Sequence, residues 1–180
     1  MKWLHISDLH IADKTDWQVF KAELLKLCQE NGPIDLVIVT GDFHNFSEGA
    51  DFSKAKKFLI ELMGALELDI NLDLFLVPGN HDGTSPECEH KAGNIAILKK
   101  EPLLDHSFEW NELLTQFDSY EKFVKELIPK YPYEHPARVH HRVWRDRIDF
   151  LHCNSAVVSD GKEKNNQLLD LDAFAEIAQK

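Results

Sequence analysis

The sequence predicts an α/β fold carried by parallel strands. Three short apolar runs alternate with two segments of helical period, and each run ends abruptly in a turn rich in glycine or acidic residues. A β-α-β-α-β order, with strands too apolar to face water, argues for a parallel sheet joined by crossover helices.

Trp3-Leu4-His5-Ile6 reads as a buried strand that stops at Ser7-Asp8. Trp17 to Glu30 has helical period, with Trp17, Phe20, Leu24, Leu25, Leu27 and Cys28 near one stripe. Asp16 stands before it as an N-cap and Asn31-Gly32-Pro33 stops it. Ile34 to Thr40 is a continuous β-branched and apolar run, the mark of a strand covered on both faces. Asp51 to Glu67 is the second helix, with Phe52, Ala55, Phe58, Leu59, Leu62 and Met63 on one side. Leu72 to Val77 is the third strand, closed by Pro78-Gly79.

The second half is less regular. Glu87 to Ser107 reads as a long loop with a short helix near Asn94 to Lys99. Glu109 to Ile128 is helical in period, and Pro129, Pro132 and Pro136 then mark an extended linker. Val139 to Trp144 and Arg147 to Cys153 read as two strands of a hairpin around Arg145-Asp146, and Leu171 to Gln179 as a last helix. Residues 1–180 are thus expected to form a single domain with a helical insertion over 84–136.

Composition narrows the partners. Acidic residues outnumber basic ones, 31 against 20, for a net charge of −11, which excludes a broad basic face for nucleic acid. The same balance favours cations, and most of the ten histidines are neutral near pH 7 and able to ligate them. No apolar run approaches the roughly 18–20 residues of a membrane span, and Asp8 follows too soon for a signal peptide. The three cysteines, Cys28, Cys88 and Cys153, fit neither a disulfide framework nor a zinc knuckle. A cytoplasmic protein with no membrane partner is expected.

The residues that carry chemistry stand just past the three strands: Asp8-Leu9-His10, then Gly41-Asp42, then Gly79-Asn80-His81-Asp82. Ligands of such sheets gather where the strands' carboxyl ends open into loops. In an extended segment, Asp8 and His10 share a face and can close on one cation. Asp42 can bridge two cations, and Asn80 adds a neutral oxygen without like-charge repulsion. Mixed nitrogen and oxygen ligation suits Mn, Fe, Zn, Ni or Co rather than Ca. Two such cations can activate a water and clamp a phosphoryl group. His81 is placed to protonate a leaving oxygen, with Asp82 to orient it. Of the remaining histidines, His44 is the best candidate for an additional ligand. His5 reads as structural, His140 and His141 as exposed strand residues, His152 as a core or edge residue, and His90, His106 and His135 as loop residues.

This series resembles the calcineurin-like metallophosphoesterases, whose motifs run D-x-H, G-D-x-x-D, G-N-H-D/E, a lone His and G-H-x-H. Ile6-Ser7-Asp8-Leu9-His10, Val39-Thr40-Gly41-Asp42 and Val77-Pro78-Gly79-Asn80-His81-Asp82 match the first three. The resemblance is close over residues 2–82 and looser through Trp110–Phe123 and Phe150–Ala156. It implies a four-layer α/β/β/α sandwich. It implies that Asp8 and His10 bind a first metal, that Asp42 bridges, that Asn80 binds a second and that His81 is the acid. It implies two divalent metals, Mn foremost, and hydrolysis of phosphate mono- or diesters by a metal-bridging hydroxide, nucleotides and nucleic acids being among the family's substrates.

Two departures stand out. Asn45 takes the place of the family's second Asp, and the chain has no Gly-His-x-His. By the resemblance, ligands of both metals are missing, so the chain is expected to be the N-terminal portion of a longer domain. Its sheet would then need self-association or a further segment to cover an open edge. The alternative is a catalytically incompetent module of the same fold that binds or regulates. A third reading is an α/β binding protein whose acidic loops merely solvate the sheet edge.

Overall fold

In the computed structural model, residues 1–11, 16–43, 51–83 and 114–157 are described, together with 174, 175 and 177. Strands β1 (Trp3–Ile6), β2 (Leu36–Thr40) and β3 (Leu74–Val77) form one parallel sheet in the order β1-β2-β3. Helix α1 (Trp17–Asn31) connects the first two and α2 (Ser53–Ala65) the second and third. After a short 3-10 turn (Thr115–Phe117) comes α3 (Asp118–Leu127), then an antiparallel hairpin of β4 (His140–Trp144) and β5 (Ile148–His152). The mixed α/β fold with its parallel sheet is therefore as the sequence predicts.

Alternation along the central strand decides what each face of the sheet meets. Val37 and Val39, with Leu74 and Leu76 beside them, join the cluster of Phe58, Leu59, Leu62 and Met63 from α2 and Tyr120, Phe123 and Val124 from α3. Leu36 and Phe75 point the other way, to Trp144, Ile38, Ile148 and Phe150. Helices therefore cover one face and the hairpin the other, which is why β2 carries almost no polar side chain. Each fully buried Leu, Met or Phe here contributes about 1.5–3 kcal/mol.

The ends of α1 follow the sequence signals. The Asp16 side chain accepts from the Val19 N–H at 3.3 Å. Gly32, with φ of 85°, turns the chain out of the helix. The helix expected over Glu109–Ile128 begins later, with a 3-10 turn at Thr115 leading into α3, and residues 109–113 lie outside the described ones. The loop over Glu87–Ser107 and its short helix also lie outside them. Of the last helix, Phe174, Ala175 and Ile177 are described, and these are helical. No helix among the described residues is long and apolar enough to cross a membrane.

The hairpin is docked by polar groups that the sequence did not announce. Arg142 stacks on Phe75 and Tyr131 and donates to the carbonyls of Leu74 and Asn71 at 2.7 and 2.8 Å. Asp73, buried at the start of β3, accepts from Trp144 Nε1 at 2.9 Å and from Arg145. His140 is not exposed as expected but 4% accessible, because it stacks on His152 with centroids 4.4 Å apart. Its Nδ1 donates to the Arg138 carbonyl and its Nε2 accepts from the Tyr131 hydroxyl, a fully used neutral tautomer. His152 is a core residue that donates from Nδ1 to the Leu76 carbonyl at 2.9 Å.

Burial pushes both imidazoles down, His140 to about 4 and His152 to about 3. The unfolded chain takes up protons near the ordinary value of about 6.5 that the native pair refuses. These two residues therefore lower stability as pH falls from about 6.5 towards about 4, and contribute no slope above it. Urea unfolding across that range is expected to show a falling midpoint in wild type and a flatter fall in His152→Leu.

Candidate metal centre

The three strands end side by side, and their exit loops remain bonded to one another. Asp8 N–H donates to the Gly41 carbonyl at 3.2 Å, His10 N–H to Asp42 at 2.9 Å and Ile11 N–H to Phe43 at 3.0 Å. Asp8, His10 and Asp42 have φ of 54°, 40° and 55°, in the left-handed region that non-glycine residues adopt infrequently. This corrects the route by which Asp8 and His10 meet. They are not two alternate residues of an extended strand; the pairing with the second loop bends them in. Strain of about 1–3 kcal/mol per residue in such conformations clusters at functional sites.

The second and third loops touch backbone to backbone. A Cβ on Gly41, whose φ is 84°, would stand 2.1 Å from Gly79 N, and one on Gly79 would stand 2.2 Å from Asp42 Oδ1. Only glycine fits either place. The contact is held by Asp82, which is fully buried. Its Oδ2 accepts from the N–H groups of Asp42 and Gly79 and its Oδ1 from Phe43, each at 2.8 Å. Asp42 Oδ1 in turn accepts from the His81 N–H at 2.9 Å. Burial pushes the Asp82 carboxyl up to about 7; the Gly79 and Phe43 N–H groups oppose the rise and the Asp42 charge adds to it.

On this frame the ligand atoms of His10, Asp42 and His81 all lie within 4.8 Å of one another. Metal bonds of about 2.0–2.2 Å draw ligand atoms to within roughly 4.4 Å, so small side-chain rotations can bring His10 and Asp42 onto one ion with the His81 imidazole beside it. The His10 and His81 rings meet edge to face with centroids 5.0 Å apart. His10 Nδ1 is buried without a hydrogen-bond partner, a lone ring nitrogen of the kind a cation fills. The imidazole of His10 and the carboxylate of Asp42 make a mixed nitrogen and oxygen donor pair that fits a first-row divalent metal.

Of the other sequence candidates, Asp8 lies beside this group but outside it. Its Oδ1 is 4.0 Å from His10 Nε2, and its side chain is 66% exposed. Asn80 is half-buried in the short 3-10 turn with His81 and Asp82. Asp82, expected to orient the His81 imidazole, instead accepts from backbone N–H groups of its own loop and of the facing one. His44 and Asn45 lie outside the described residues. His5 bonds Thr40 Oγ1 at 2.8 Å within the sheet, and His135 pairs with Glu121 on α3. Sequence reasoning passed over Phe43, whose N–H completes the Asp82 set. Its ring is fully buried against Phe123 at 5.3 Å, with Phe52 and Tyr120 beyond. The signal was there in an aromatic directly after Gly41-Asp42, in a loop otherwise expected to be wet.

The family model described as calcineurin-like phosphoesterase matches residues 1–174. No curated protein and no solved structure matches the chain.

Gly79→Ala is expected to separate the second and third loops. Overpacking against backbone costs about 1–3 kcal/mol or more, and urea denaturation should show a loss of at least that size. A stability equal to wild type would contradict the close contact.

Proposed function

The chain belongs to the calcineurin-like phosphoesterase family, and on that premise we propose that it hydrolyses phosphate mono- or diesters with divalent metal, manganese foremost. The observation that carries the reading is the convergence of His10, Asp42 and His81 within 4.8 Å at the carboxyl ends of parallel strands. In this reading Asp8, His10, Asp42 and Asn80 hold the cations, with Asp42 shared between them. Bound cations supply the Lewis acidity that activates water and draws charge from the phosphoryl oxygens.

The chain's own residues do the rest. Asp42 is anchored at Oδ1 by the His81 N–H, so the carboxylate is oriented before any ion arrives. His81 protonates the leaving oxygen, a role supported by its half-buried imidazole, which stands within 4.8 Å of the His10 and Asp42 ligand atoms and is left free of the ion in this reading. Asp82 fixes the turn from which His81 projects. The residues of the α3 region close the interior behind the site rather than lining it.

A second reading is a module of the same fold that binds without turnover. It is favoured by the absence of Gly-His-x-His from the sequence, which leaves fewer imidazoles for a two-metal centre.

Calorimetry with Mn²⁺ separates the two. Binding of about two ions by wild type, lost in Asp42→Ala, supports the hydrolase; one ion or none, with no turnover, supports the binding module. His81→Ala is expected to lower kcat on an unactivated alkyl phosphate ester by roughly 10²–10⁴-fold. The loss should be much smaller on a nitrophenyl ester, whose leaving group needs no proton. Unchanged alkyl ester hydrolysis would remove His81 from the acid role.

A further inference from the structure

A carboxylate has about four lone-pair sites, and those of Asp82 are turned towards main chain. Three N–H groups from two loops converge on it at 2.8 Å: Asp42 and Phe43 from the exit of β2, Gly79 from the exit of β3. The residue is fully buried. Phe43, Phe52, Tyr120 and Phe123 form a dry wall around that region, with ring centroids 4.8–6.4 Å apart. Hydrogen bonds are stronger where water is excluded than in solvent.

The partners matter more than their number. Asp42 donates its N–H to Asp82 while its own Oδ1 accepts from the N–H of His81, the residue directly before Asp82. Asp82, Asp42 and His81 therefore form a closed loop of bonds. Moving any one of them moves the carboxylate and the imidazole relative to each other. Neither oxygen of Asp82 is among the atoms that gather within 4.8 Å as metal ligands.

We propose that Asp82 is a positioning residue. It fixes the Asp42 carboxylate and the His81 imidazole in one geometry by clamping the backbone of both loops, and it touches neither metal nor substrate. It acts on the main chain of Asp42, Phe43 and Gly79 rather than on the imidazole ring of His81. The assignment rests on the metal reading given above. It extends that reading by naming how the ligand geometry is set before an ion binds.

The test compares wild type, Asp82→Asn and Asp82→Glu at a temperature well below each melting point, with circular dichroism establishing that each is folded. Mn²⁺ affinity is measured by calorimetry, and kcat and KM on a nitrophenyl phosphate ester. Outer-shell partners of metal ligands typically change affinity by about 10–100-fold when replaced. Folded Asp82→Asn is expected to bind Mn²⁺ at least about tenfold more weakly, with kcat reduced more than KM is raised. Asp82→Glu, which keeps the carboxylate, should recover most of the affinity. A purely structural residue would lower the melting point and leave the affinity of the folded protein unchanged, and that result overturns the proposal.

Where Asp82→Asn does not fold, wild type itself carries the test. In metal-free wild type, the amide protons of Phe43 and Gly79 should already exchange slowly with solvent, because they are bonded to a buried carboxyl before any ion arrives. Fast exchange of these two amides in the folded, metal-free protein overturns the clamp. Absence of metal binding by wild type overturns the metal reading and the clamp with it. Binding by wild type and Asp82→Asn alike overturns the clamp alone.

Discussion

Burying an ionisable carboxyl away from water is unfavourable unless its lone pairs are filled, and Asp82 fills them with backbone N–H groups from two different loops. Removing one partner of such a set leaves polar groups unsatisfied in a dry interior, at about 1–3 kcal/mol each. The loops after β2 and β3 are thereby tied to each other beyond the end of their strand pairing. The approach of Gly41 to Gly79 is the steric counterpart of the same constraint. The carboxylate can span the two loops only because neither glycine carries a side chain. Strand order, loop pairing and the left-handed turns at Asp8, His10 and Asp42 all feed into this one junction.

The hairpin shows the same logic on the opposite face. Asp73 is buried and bonded to Trp144 and Arg145, and Arg142 spreads its guanidinium over the carbonyls that end the α2–β3 connection. A sheet face covered only by apolar residues would let a two-stranded hairpin slide in register. Donors aimed at particular carbonyls of Asn71 and Leu74 fix where it sits. The stacked pair of His140 and His152 continues this polar seam towards Leu76. The central sheet is therefore pinned by polar groups from both sides, at Asp73 where β3 begins and at Asp82 just after it ends.

Much of this fold is legible in the sequence because its information is local. The strands are continuous apolar runs, the helices keep their period, and Asp16 and Gly32 mark the ends of α1. Gly-Asp and Gly-Asn at successive strand ends point to the site, because three parallel strands deliver their next residues to one edge. What is not legible depends on partners distant in the chain. The direction of the Asp82 carboxylate is set by Asp42 and Phe43, 40 and 39 residues away. The burial of His140 is set by Tyr131 and by pairing with His152 across the hairpin. A His-His pair in a strand-like run gives no local sign of which ring stacks inward. Asp8 and His10 come within 4.0 Å of each other through a left-handed bend at both residues, where the sequence suggests alternation along an extended segment.

Charge then fixes the order of events at the site. With a net charge of −11 and Asp8 and Asp42 close to the strand ends, the protein's field opposes an anion such as the proposed phosphate ester. Cations change this locally, because a divalent ion is the largest charge in such a site and reverses the potential around it. The field draws cations to the same place from which it excludes anions. For the proposed hydrolase this implies an order in which metal occupancy precedes substrate. Such an order depends on ligands that are already in position. An oxygen held by a backbone N–H, as Asp42 Oδ1 is by His81, needs little reorganisation to accept an ion, whereas a freely rotating surface carboxylate must first be immobilised. Asp42 is of the first kind, whereas the exposed Asp8 accepts from the Ser7 hydroxyl beside it. On the proposed reading, the frame around Asp82 presents Asp42 to an arriving cation already oriented, and Asp8 is the group that closes afterwards.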